Sequence, residues 1–540
     1  MLDRRDLFKL SAIGGAAALL NGCAPQQAEE AGGQPGAGGE ARAFELEDWT
    51  VAELQQAMGE GRLSSEDLVE MYQGRIAEID HSGAELRSVL ALNPDALEIA
   101  GRLDSERAAG QLRGPLHGIP VLLKDNIDTA DRMATTAGSL ALAGTIALQD
   151  STVARNLRAA GAVILGKTNL SEWANFRSER SSSGWSGVGG QTKNPYALDR
   201  NPCGSSSGSG AAVSANLAAL AIGTETDGSV VCPANANGIV GVKPTVGRVS
   251  RAGIVPISES QDTAGPMART VRDAALLLNA MAGVDPRDPA TAKAGAPADF
   301  TASLDERALD GARIGVWRDR FGFHEKVDAI LEQSLAALRD GGAELIDPIE
   351  MPSVDEVGDH EYEVLLYEFK DGLARYLAGR GDDTTVRTLA DLIEFNLANR
   401  DREMPYFEQE VFDKAEAKGP LTDAAYGEAL ANCVRMTRAE GIDRVVSEHR
   451  LDAIVGPTGG PAWVTDWVNG DHFGGGSSRA AAVSGYPALT VPAGFVHGLP
   501  VGLTFFGPAW TEARLLGLAY AFEQSTRVRR PPRLLPTVQF

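Results

Sequence analysis

Apolar positions recur at helical spacing at the start of the chain's globular part and then give way to short continuous apolar runs. Leu54 and Met58 lie one turn apart behind Thr50, and Glu53 stands three residues after that threonine, so a capped amphipathic helix is predicted there. After the break at Gly61–Leu63, Ser64 and Ser65 offer another cap, followed by Leu68, Tyr72 and Ile76 on one face. "SVLALNP" reads as a strand and "ALEIAGRLDSERAAG" as a helix ended by Gly110. Residues 118–124, "GIPVLLK", form an apolar strand that delivers a lysine at its end. "GAVILGKTNL" is the next strand, after a helix over roughly Ser151 to Ala160. This alternation predicts β-α-β units and a largely parallel sheet.

The texture then changes twice. Residues 181–265 concentrate glycine and hydroxyl side chains in "SSSGWSGVGGQTKNPY", "NPCGSSSGSG", "GTETDGS" and "GIVGVKPTVGRVS", the composition of a site built largely from backbone. Between them "AAVSANLAALAIG" reads as a small-residue helix stopped by Gly223. From about 304 to 440 the pattern is strongly helical apart from "ARIGVWRD", which reads as a strand, and a helical cap-like insertion is expected there. Sheet chemistry returns over 451–505, and a last helix, "EARLLGLAYAFEQST", precedes a basic, proline-rich tail at 531–540.

Composition narrows the class. The chain has 540 residues, 43% of them hydrophobic, with 61 glycines and 27 prolines, which suits a loop-rich globular protein with a real core. Its formal charge of −23 disfavours a nucleic-acid footprint. Residues 1–23 carry Arg4, Arg5 and Lys9 ahead of an apolar run from Leu10 to Leu20, too short to span a bilayer as a helix and suited to a signal peptide. "RRDLFK" resembles a twin-arginine export signal and "LLNGC" a lipoprotein box with Cys23 as the lipidated residue. The protein is therefore expected to be exported, as a periplasmic or a membrane-anchored lipoprotein. Residues 24–43 read as a flexible tether. The mature chain keeps Cys203, Cys232 and Cys433, too few for a disulfide scaffold, and neither its cysteines nor its seven histidines have metal-site spacing. Neither a metal nor a cofactor is expected.

The candidate chemistry follows from position. Lys124 ends a buried strand, Ser205–Ser207 occupy a glycine-flanked loop, and Ser229 follows Asp227-Gly228 in a second tight turn. A hydroxyl nucleophile needs a base and donors for the developing oxyanion. Lysine serves as that base only when desolvation or neutral hydrogen-bond partners lower its pKa, so Asp125 has to point away from it. The two serine loops meet only if the chain doubles back after Gly223.

"GIPVLLKDNIDT", "NPCGSSSGSGAAVSA", "GTETDGSVVCPA", "GIVGVKPTVGRVSRAGIVPISESQDTAGPMARTVRDAA" and "SGYPALTVPAG" together resemble the amidase-signature family, most densely between 118 and 275. The resemblance implies one large α/β catalytic domain over 44–530, with a mixed central sheet of about eleven strands sandwiched between helices. It implies Ser229 as nucleophile, Ser205 as a bridging serine on a non-proline cis peptide, Lys124 as base, and the backbone N–H groups of Thr226, Asp227, Gly228 and Ser229 as oxyanion hole. Ser181, Ser182, Ser183 and Asp262 shape or brace the site by family position.

Asp227 stands where most members have glycine, and "TETDGS" is similar to the peptide-amidase branch. This points to ammonia release from C-terminally amidated peptides, with Asp227 disfavouring a free carboxylate. A hydrolase of small amides, arylamides or esters is the nearest alternative. The glutaminase subunit that amidates mischarged tRNA and a non-enzymatic exported binding lipoprotein are the others. Cys203 and Cys232 flank the two serine loops, as small buried filler or as a disulfide across the site. His117 reads as structural. Tyr362, Tyr367 and Phe369 are either a substrate-facing wall or helix core. Oligomeric state stays open.

Overall fold

The computed structural model describes residues 44–295, 299–381 and 384–540, so the export signal, Cys23 and the tether lie outside the described residues. The first two helices form as their patterns require. Thr50 and Glu53 make a reciprocal capping box for Val51–Gly59, and Ser64 and Asp67 do the same for Ser65–Ile79. Leu54, Met58, Leu68, Tyr72 and Ile76 are buried in the main core, each contributing about 1.5–3 kcal/mol by leaving water.

Thirteen strands follow among the described residues: β1 (Val89–Leu92), β2 (Pro120–Lys124), β3 (Val163–Thr168), β4 (Trp185–Ser186), β5 (Gly190–Gln191), β6 (Leu220–Glu225), β7 (Val240–Lys243), β8 (Thr263–Ala268), β9 (Arg313–Trp317), β10 (Glu344–Ile349), β11 (Ala453–Pro457), β12 (Ala488–Val496) and β13 (Leu499–Phe506). Eleven of them form one sheet in the order β1-β3-β2-β6-β8-β7-β12-β13-β11-β9-β10, and β4 pairs with β5 separately. The sheet is mixed, not largely parallel. Parallel pairing is confined to β3-β2-β6 and to β11-β9-β10, whereas the middle is antiparallel. A parallel neighbour requires a long crossover. β12 and β13 are instead joined by a tight turn at His497-Gly498, both at positive φ.

Two expectations are corrected here. The alanine-rich stretch is not one helix: Ser207–Ser214 is helical, Asn216 sits at φ 60°, and Leu220–Glu225 is strand β6 between β2 and β8. Ser209 Oγ donates to the Ile222 carbonyl at 3.0 Å, so the helix lies against the strand that follows it. The required doubling back therefore happens at Asn216, before Gly223, because leucine and isoleucine at 220 and 222 gain more by filling the sheet core than by extending a short helix.

The helical insertion also begins later than the pattern suggested, since β9 and β10 extend the sheet edge first. Its helices run from Pro352 to His449. The longest, Gly358–Ala378, buries Leu366, Phe369 and Leu373 in a second core shared with Trp173 and Phe176. The terminal tail is held by backbone bonds, Leu198 N to Leu535 O and Leu534 N to Pro195 O.

Candidate active site

Strand β2 is buried at every position, so its pattern carries Lys124 out of water along with Val121, Leu122 and Leu123. The lysine Nζ lies 2.8 Å from Ser205 Oγ, 2.8 Å from Thr224 Oγ1 and 3.2 Å from the Thr224 carbonyl. Burial pulls its pKa down to about 7, against the opposing pull of Asp262 and Glu225. A neutral amine has two N–H groups and one lone pair. Those two donors suit the Thr224 acceptors, which leaves the lone pair for the Ser205 hydroxyl.

Asp125 faces the other way. Its carboxylate bonds Thr136 and lies 3.8 Å from the buried Lys167 Nζ, so the neighbour that threatened to hold Lys124 charged is occupied elsewhere.

The serine loop is fixed against β6 by reciprocal bonds. Ser206 Oγ donates to Thr224 O at 3.0 Å and accepts from Thr224 N at 3.1 Å, and Ser206 N donates to the Ser229 carbonyl at 3.2 Å. The Gly204–Ser205 peptide is cis. Gly204 has no room for a side chain, because a Cβ there would lie 2.2 Å from Ser171 Oγ. The loop is thus packed beneath the turn that carries Ser229.

That turn is braced by two carboxylates, Glu225, which the sequence reading did not single out, and Asp262, which it did. Glu225 accepts from Val230 N and Val231 N at 2.7 and 3.0 Å, and Asp262 accepts from Thr226 Oγ1 at 2.6 Å. Gln261 Nε2 reaches Thr226 O at 3.3 Å and Glu361 Oε1 at 3.1 Å, and Arg479 pairs with Glu361. Burial, then the nearby Asp227, pushes the Glu361 carboxyl up to about 8, while Gln261 and Arg479 pull it down. Gly228 takes φ 78°, a left-handed value that suits glycine. Asp227 itself accepts from Ser478 Oγ at 2.5 Å. A cavity of about 380 Å3, bordered by Asn126, Thr224, Thr226 and Asp262, adjoins these partners of the lysine.

Cys203 and Cys232 are joined, with Cα atoms 5.9 Å apart and a sequence separation of 29. The bond ties the serine loop to the helix Val231–Ala236 that follows Ser229. Removing it in a Cys203→Ala/Cys232→Ala variant is expected to lower unfolding stability by about 3–4 kcal/mol, from loop closure alone. Chemical denaturation measures this, and an unchanged midpoint would count against the brace.

These contacts bring a buried lysine, the Ser205 hydroxyl and the glycine turn that carries Ser229 together. A family model described as Amidase matches residues 67–516. The chain belongs to the amidase family. It is 40% identical over 503 residues to a probable amidase of Arabidopsis thaliana, covering 91% of this chain and 93% of that relative. Its fold superposes on the solved peptide amidase of Stenotrophomonas maltophilia with a TM-score of 0.87 and 52% identity, over 91% of this chain and 100% of that one. A peptide amidase solved with the competitive inhibitor chymostatin gives 0.88 and 54%, with 91% and 100% covered.

Within this amidase the expected site residues divide. Lys124, Ser205 and the 226–229 turn come together as anticipated. Ser182 is buried and donates to Gln191 Oε1 at 3.3 Å, a brace beside the serine loop. Tyr367 is not a substrate wall. Its ring is buried against Tyr426 and its hydroxyl points to Asp423, inside the helical layer. Phe369 is likewise core, and Tyr362 bonds Glu179. His117 is structural, its Nε2 2.9 Å from the Leu103 carbonyl. Thr224, Glu225, Gln261 and Glu361 were missed because nothing in their local spacing reports what they face. Only the position of the first two inside "GTETDGS" hinted at a role. Among the described residues no group of three or more His, Cys, Asp or Glu side chains is placed to hold a metal ion.

Proposed function

We propose that the protein releases ammonia from C-terminally amidated peptides through an acyl-enzyme on Ser229. The observation that carries this is the contact of the buried Lys124, its pKa drawn down to about 7, with Ser205 beneath the Asp227-Gly228-Ser229 turn. Lys124 takes the Ser205 proton, Ser205 takes that of Ser229, and Ser229 Oγ attacks the amide carbon. The backbone N–H groups of residues 226–229 hold the oxyanion. The relayed proton returns to the nitrogen, ammonia leaves, and water, deprotonated by the same relay, cleaves the ester.

Similarity to the peptide amidases supports the peptide substrate. So does Asp227, whose carboxylate opposes a product acid but not a neutral amide.

Ammonia release from an amidated peptide, a peptide with internal Gln, free glutamine and an aliphatic amide tests the reading. Turnover of the amidated peptide above the rest is expected, with the Asp227→Asn variant at least about tenfold more sensitive to inhibition by the peptide acid. Preference for the aliphatic amide would sink the peptide assignment.

Export and attachment through Cys23 belong to the same proposal. The Cys203–Cys232 disulfide supports export, since such bonds persist in oxidising compartments. A Cys23→Ala variant is expected in the soluble fraction, with the wild type in the membrane fraction. An unchanged distribution would contradict lipidation.

A further inference from the structure

The loop 459–478, rich in glycine, is anchored at two points of the site. Asp471 Oδ2 accepts from Ser183 N at 2.9 Å, and Ser183 packs beside Gly204, where a Cβ would lie 3.2 Å from its own. Ser478 Oγ donates to Asp227, next to the nucleophile turn. The residues between these anchors therefore span from the serine loop to the Ser229 turn, and among them Phe473 is 51% exposed. Four residues before the first anchor, Trp467 is 43% exposed and stacks on Tyr406, in the bend between Arg400–Glu403 and Glu410–Glu416, ring centroids 4.4 Å apart. Its Nε1 donates to Gln191 Oε1 at 3.1 Å, the atom that Ser182 Oγ also reaches. Val468 beside it is 87% exposed.

Exposed aromatic faces beside a site, one of them held by a polar bond as Trp467 is, mark a recognition surface for apolar groups. Ammonia as leaving group needs no side-chain pocket, so such a surface serves the acyl part of the substrate. Resting on the peptide-amide reading above, we propose that Phe473, Trp467 and Tyr406 form an acyl-side subsite for the residue preceding the amidated one. The favoured substrates are then amidated peptides with an aromatic or large aliphatic residue at that position.

The test is kcat/KM for acetylated dipeptide amides Xaa-Ala-NH2, with Xaa as Phe, Leu, Ser or Glu, using wild type, Phe473→Ser and Trp467→Ser. Phe and Leu are expected to exceed Ser by about tenfold in the wild type, and each variant to compress that ratio to about twofold. The ratio does not depend on how much of a variant folds. Turnover without preference, or a preference that both variants keep, overturns the subsite alone. No turnover of any of these amides overturns the peptide-amide reading and the subsite with it.

Discussion

Replacing Ser229 by alanine is expected to lower kcat/KM for an amidated peptide by at least about 10^4-fold, since in the proposed mechanism the acyl-enzyme forms on its hydroxyl. The fold should not notice. What the structure takes from residue 229 is its backbone carbonyl, which accepts from Ser206 N, and alanine keeps that bond. The thermal midpoint is therefore expected to stay within about 2 °C. Residual rate above water would come from the oxyanion donors, which survive the substitution. A variant retaining a tenth of the activity would remove Ser229 from the nucleophile role, whatever its stability.

Lys124 carries the second large effect, and it is visible in pH. Its pKa is drawn down to about 7 by burial, with Asp262 and Glu225 pulling the other way. In the proposed mechanism the neutral form is the active one, so kcat/KM is expected to rise with pH, about tenfold per unit below 7, and to level off above it. Lys124→Ala is expected to cost about 10^3-fold on the plateau and to flatten the acid limb. Asp262, pushed up to about 6 by its own burial, titrates just below that limb. An Asp262→Asn variant that keeps the limb near 7 separates the two groups. A wild-type profile flat from pH 5 to 9 would contradict the lysine as base.

Much of this site could be read along the chain because its parts are local. An apolar run ending in lysine reports a buried strand end, and glycine beside serine reports a tight turn with an accessible hydroxyl. Threonine or serine followed three residues later by a carboxylate reports a helix start. These inferences depend on a few neighbouring residues. The described structure agrees with them at Lys124, Thr50 and Ser64 and in the turns at Ser205 and Ser229, although both serines are buried.

What could not be read depends on partners far away in sequence. The alanine-rich stretch splits into helix and strand because β2 and β8 offer Leu220 and Ile222 a sheet core, which no propensity within 211–223 encodes. Tyr367 has the spacing of an exposed wall and of a core position alike, and packing against Tyr426 decides for the core.

The sequence by itself determined the strand that buries Lys124, the two serine turns and, through its motifs, the family. Only the tertiary structure decided that Lys124 meets Ser205 across 81 residues of chain, that Asp125 turns to Lys167, that Cys203 and Cys232 join, and that Glu361 meets Gln261 and Arg479. The physical reason is one of range. Hydrophobic periodicity and turn chemistry are set by neighbours along the chain, whereas desolvation and charge pairing are set by whatever the fold brings within a few ångströms.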